Sequence, residues 1–171
     1  MGSSTVLIGG GMSDASAAAA PFDLRYAYLV SRPAPSSDYY SASGCKGASI
    51  NWWGCWNSPP GSYVTSRDAV VAKATYKGKR RPQKMLWTWF MLHQLGDMAG
   101  TDGTTGAVGA LNRADLLTLY MNDYRFFLRK VGKSHDAIDL EPDFWGFARS
   151  QGDLNKIPAK VSSANPRDCG S

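Results

Sequence analysis

The sequence predicts an α/β protein: a partial (half) β/α barrel built on parallel strands. Two observations lead there. Apolar runs of strand length alternate with segments of helical period, in the order strand, loop, helix, strand, loop, helix, strand. Each strand-like run also ends in polar or aromatic residues, as the ligand-facing ends of parallel strands do. With only 19% charged residues and 12% aromatics, the 171-residue chain has the composition of a packed domain rather than of a disordered one.

The first 20 residues run from Ser4-Thr5-Val6-Leu7-Ile8 through small residues to Ala20. They lack the cationic start and long apolar core of a secretory leader and read as a flexible N-terminal lead. Residues 21–171 are expected to form one domain. Phe22 to Val30 is rich in aromatic and branched residues and reads as a buried strand. Residues 31–61 follow as a long loop with Pro33, Pro35, Pro59 and Pro60. Tyr39, Tyr40, Trp52, Trp53 and Trp56 argue that this loop is ordered. Trp52 and Trp53 either line a ligand cleft or close the core beneath the loop.

Ser62 to Tyr76 has a loose apolar stripe and reads as a helix stopped by Gly78. Met85 to Leu92 is a second buried strand, with His93, Gln94 and Asp97 at its exit. Residues 96–110, rich in Gly and Thr, read as a loop. Asn112 to Val131 is the clearest helix. Leu116, Tyr120, Tyr124, Phe127 and Val131 define its apolar face, and Gly132 is its stop. Ala137 to Leu140 is a third strand, with Glu141 and Asp143 at its exit. Chain length and element count suggest about four β/α units, and the chain reads as the N-terminal half of a longer barrel protein. Exposed sheet edges and an open apolar face then predict self-association, a homo-oligomer that covers them.

The net charge is +5, concentrated in Lys77, Lys79, Arg80, Arg81 and Lys84. These cations form either a solvated loop or a seat for an acidic partner. No aromatic platform or nucleic-acid motif accompanies them, so nucleic acid is not expected as a partner. No apolar run reaches the ~18 residues of a bilayer span, so no membrane partner is expected either.

Of the three cysteines, Cys45 and Cys55 lie ten apart in the Gly/Ser-rich loop. A disulfide there would staple the loop in an oxidising, secretory compartment. The rival is a metal site shared with His93 or His135. There is no phosphate-binding Gly-Lys-Ser/Thr loop and no Gly-x-Ser-x-Gly elbow.

The densest chemistry lies in Asp139-Leu140-Glu141-Pro142-Asp143-Phe144-Trp145. Extended alternation would put Asp139, Glu141 and Asp143 on one side, and Pro142 disfavours helix at Glu141. Crowded carboxylates raise each other's pKa, which is what a general acid needs near neutrality. Phe144 and Trp145 offer apolar walls, and a Trp face stacks on sugar rings. The alternative is that Asp139 and Glu141 pair with Arg25, Arg125 or Arg149 and hold the sheet.

The segment Ile138-Asp139-Leu140-Glu141-Pro142-Asp143 resembles the "hydrophobic run, Glu-Pro-Asp" motif of the family-6 glycoside hydrolases, cellulases built on a distorted β/α barrel. The upstream context is similar too: a helix with Tyr120 and Tyr124, a Gly turn, then the strand. The likeness spans residues 112–149. It implies that Asp143 is the general acid protonating the leaving oxygen and that Glu141 is a buried neighbour orienting it. The family's second Asp lies in a Tyr-x-x-Pro-x-Arg-Asp-Cys motif upstream. This chain lacks it there, and Arg167-Asp168-Cys169 stands too late in the order. Asp97 or Asp139 is therefore the candidate second carboxylate.

On this reading Trp145, His93, Gln94, Trp52 and Trp53 would contact substrate, a carbohydrate or other small molecule, with no cofactor. Two alternatives remain open. One is a zinc-type hydrolase of phosphate or carboxylate esters, with His93, His135 and Asp97 as ligands. The other is a non-catalytic carbohydrate-binding or inert barrel fragment.

Overall fold

A computed structural model describes residues 6–46, 51–100 and 103–166. Cys169, with the Arg167-Asp168-Cys169 triplet, lies outside them. Four strands form one parallel sheet: β1 (Gly9–Gly10), β2 (Leu24–Leu29), β5 (Lys84–Trp89) and β6 (Ala137–Leu140), side by side in chain order. A two-stranded antiparallel hairpin, β3 (Thr75–Tyr76) with β4 (Lys79–Arg80), stands apart from that sheet. The helices are α1 (Asp14–Ala19), α2 (Ser62–Val71), α3 (Leu92–Met98), α4 (Gly103–Ala110), α5 (Ala114–Val131), α6 (Phe144–Ser150) and α7 (Val161–Ala164). The mixed α/β class and the parallel sheet agree with the sequence reading.

The register explains the division of the sheet into two faces. Leu29 lies beside Trp89, Ala27 beside Trp87, and Tyr28 beside Thr88, which in turn lies beside Asp139. Because successive side chains alternate, Met85, Trp87 and Trp89 share the face that receives the helices. There Trp89 stacks on Phe127 of α5 at 5.1 Å, and Trp87 meets Tyr63 of α2 edge-on at 6.2 Å. All three β5 residues are buried, as are Phe126, Phe127, Leu116, Leu117 and Val64. Burial of such large side chains stabilises by roughly 1.5–3 kcal/mol each. The opposite face carries Tyr26, Tyr28, Leu86, Ala137 and Asp139, all still in contact with solvent, together with the buried Thr88, and Tyr28 is 37% exposed.

The long loop is bound to α5 by a buried acid. Trp52 and Trp53 donate their indole N–H groups to the two oxygens of Asp123, at 2.7 and 2.8 Å. Both tryptophans are buried, so their place is the core and not a ligand cleft, which corrects their assignment as substrate contacts. The indole rings have apolar bodies to bury and one donor each to satisfy, and Asp123 satisfies both. Cys45 and Cys55 are joined by a disulfide.

Three further local readings change. Residues 9–20 belong to the fold: β1 pairs with β2, and α1 is capped by Ser13, whose hydroxyl accepts the Ser16 N–H at 3.1 Å. The helix beginning at Ser62 ends at Val71 rather than at Tyr76, because residues 75–80 turn back as the hairpin. Part of the expected 96–110 loop is helical. α3 and α4 pack closely where Gly96 meets Gly106, and a Cβ on Gly96 would stand 2.5 Å from the Gly106 carbonyl carbon. Glycine's low helix propensity hid a contact that only glycine permits.

Candidate active site

Every candidate residue but three lies at the exit of β5 or β6. β6 stops at Leu140 because Glu141 takes a left-handed conformation (φ 49°), and Asp143 already has helical angles at the start of α6. The extended alternation therefore does not continue past the strand, and Glu141 turns away from the two aspartates.

Glu141 turns inward. Its carboxylate accepts the Met91 N–H at 2.8 Å and the Leu92 N–H at 3.2 Å, where β5 gives way to α3. The backbone is tied in the same place, since the Glu141 N–H donates to the Trp89 carbonyl at 2.8 Å. Glu141 is buried, and burial pushes its pKa up to about 7. The Met91 and Leu92 amides and the Tyr120 hydroxyl pull the other way. Burial outweighs them because the charged form loses its water. The cause of this shift is desolvation rather than the like-charge crowding expected from the sequence.

Asp139 and Asp143 stay on the solvent side. Asp139 accepts a long hydrogen bond from the Thr88 hydroxyl at 3.4 Å, across the register row that continues to Tyr28. Asp143 is exposed. Both carboxylates lie near enough for their charges to act on Tyr28, whose pKa is pushed up to about 12. Burial is the first cause, then the neighbouring Tyr26, then the charges of Asp143 and Asp139. Tyr28 meets Tyr26 edge-on at 5.4 Å and Phe90 at 6.0 Å. Phe90 stacks on His93 at 6.1 Å, and His93 lies 6.4 Å from Phe147 of α6. A row of rings thus runs from the Tyr26–Tyr28 face of the sheet to the strand exits, with two carboxylates beside it.

His93 and Asp97 share one face of α3, with Nδ1 and Oδ2 4.0 Å apart, and Gln94 beside them is partly exposed. Trp145 is 63% exposed next to Phe144. The three candidates found elsewhere are the core residues Trp52 and Trp53 and the distant His135. His135 sits in the turn before β6, a strand length of ~13 Å from the exits. His93, His135 and Asp97 are accordingly not gathered. Among the described residues, no three of His, Cys, Asp or Glu converge as a metal ion would require.

The sequence offers Arg25, Arg125 and Arg149 as partners of the exit carboxylates. Arg25 instead binds Asp14 at 2.8 Å, near the start of the fold. Tyr28, Thr88, Phe90 and Phe147 were missed in the sequence. The period-2 placement of Tyr26 and Tyr28 was the available signal for a shared face.

Compared with protein-family models, with curated proteins and with solved structures, the chain matches none.

Proposed function

We propose that the chain is a glycoside hydrolase-like protein acting on a carbohydrate by carboxylate general acid/base chemistry. Asp143 donates a proton to the glycosidic oxygen, and Asp139 or Asp97 takes a proton from the water that attacks the opposite face. Glu141 holds the two strand exits in register beneath them. One observation carries this reading: Asp139 and Asp143 stand at the exit end of a parallel strand, near enough for both charges to act on Tyr28, beside a row of partly open rings. Rings of this kind stack on the apolar faces of sugars, and the carboxylates sit where parallel β/α folds keep their reacting groups.

The sheet belongs, in the same proposal, to a half barrel completed by a second copy. Support comes from four parallel strands in chain order and from the partly exposed face bearing Tyr26, Leu86 and Ala137. Parallel sheets are ordinarily covered on both faces.

The test is hydrolysis by the purified protein of aryl glycosides, β-glucans, aryl phosphates and carboxylate esters, with and without chelator. Sugar release that falls at least about 100-fold in Asp143→Asn and ignores chelator supports the reading. Ester or phosphate turnover abolished by chelator overturns it, and so does binding of glucans with no turnover.

A further inference from the structure

The hairpin of β3 and β4 turns at Lys77 and Gly78, both with positive φ (49° and 73°). Its base is fastened to the domain. The Arg81 N–H donates to the Ala74 carbonyl at 2.8 Å, and the Gln83 N–H to the Val71 carbonyl at 2.9 Å. Beyond that base, Lys77, Lys79 and Arg80 are exposed, followed by the exposed Arg81 and Lys84. Among the described residues only Arg81 of these five has a carboxylate partner, Asp23 at 2.8 Å. Tyr76, Lys77, Lys79, Arg80 and Arg81 line a surface cleft of about 380 Å³.

So many like charges on a short arm repel one another unless anions lie between them. The site carboxylates cannot supply those anions. The hairpin precedes the entry of β5 while they stand at its exit, about 20 Å away along a six-residue strand.

We propose that this hairpin is a docking arm for an anionic polysaccharide, a glycan chain bearing carboxylates or sulfates along its length. Lysine and arginine on flexible stems suit a polymer whose charges recur along a mobile chain. Nucleic acid fits less well. The one ring in the cleft, Tyr76, is taken by the Lys77 ammonium, 5.3 Å over its centroid, so no open platform remains for a base. The choice of a glycan rests on the carbohydrate reading of the opposite pole.

The test is binding of fluorescently labelled polygalacturonate and dextran sulfate between 50 and 200 mM salt, with neutral dextran and a 30-nucleotide single-stranded DNA as comparisons. The proteins are the wild type and a Lys77→Gln/Lys79→Gln/Arg80→Gln variant. All three positions are exposed, so the variant is expected to match the wild type in circular dichroism and melting. The expected result is salt-sensitive binding of both acidic glycans and none of dextran. In the variant, affinity should drop about tenfold or more, and the log–log salt slope should shrink by about 2. Equal binding by variant and wild type overturns the proposal, as does DNA binding tighter than either glycan. The assay involves no turnover and leaves Asp143 untouched, so failure of the hydrolase reading and failure of the docking arm are separately visible.

Discussion

The carboxylate of Glu141 accepts the backbone N–H of Met91 at 2.8 Å, so a buried acid ties the exit of β6 to the exit of β5. Its pKa stands near 7 against an ordinary 4.5. Between those values the folded chain holds a proton that the unfolded chain has released. Stability therefore falls as pH rises from about 4.5 to 7 and levels off above that. Asp123, raised by burial to about 7, acts in the same direction, as does Asp68, raised to about 7 by burial and by Asp136. The wild type should melt at a higher temperature at pH 5 than at pH 8. Glu141→Gln should flatten part of that slope, a share on the order of 3 kcal/mol. An unchanged slope in Glu141→Gln would remove Glu141 as a source.

Asp14 has the opposite sign. Hydrogen bonds from Arg67 and then Arg25 hold its pKa at about 2. Its contribution is present above the ordinary value of 3.8 and is lost as pH falls toward 2. Acid unfolding below pH 4 should begin at a higher pH in Asp14→Asn than in the wild type, read by circular dichroism.

Asp123→Ala leaves two buried indole donors without acceptors and should cost about 3 kcal/mol or more. Tryptophan emission should shift to the red as the 31–61 loop loosens. Retention of wild-type emission and stability would show that the indoles find other partners.

Gly96→Ala pushes a methyl group against the Gly106 backbone and should cost about 1–3 kcal/mol. Gly109→Ala, where a Cβ meets nothing within 4 Å, is the control, expected to be neutral or slightly stabilising. Chemical denaturation of both variants distinguishes a true close contact between α3 and α4 from general intolerance of alanine in this helix pair.

Removing the Cys45–Cys55 bond by Cys45→Ser/Cys55→Ser closes no loop in the unfolded chain and should lower stability by about 3 kcal/mol. The same loss should follow a mild reductant acting on the wild type.

The strands that carry the candidate carboxylates were readable because dense apolar runs such as Met85-Leu86-Trp87-Thr88-Trp89 have few other ways to be buried. Helix α5 was readable because its apolar residues recur at helical spacing. β1 and α4 were not, since Gly and Thr carry weak local preferences that neighbours override, and α1 and α3 are too short to show a helical period.

The sequence by itself determined the parallel α/β class, the clustering of acids at the end of β6, and the two cysteines able to pair. Tertiary structure alone decided what each acid does. Asp139 and Asp143 have nearly the same chemistry as Glu141, yet the left-handed turn at Glu141 sends its carboxylate into the interior and leaves theirs outside. Likewise Trp52 and Trp53 were ambiguous until Asp123, some 70 residues away in the chain, supplied the acceptors that let them be buried. Local pattern fixes which groups need a partner. Which partner each one finds depends on contacts between distant segments, and a single sequence does not encode those in any short window.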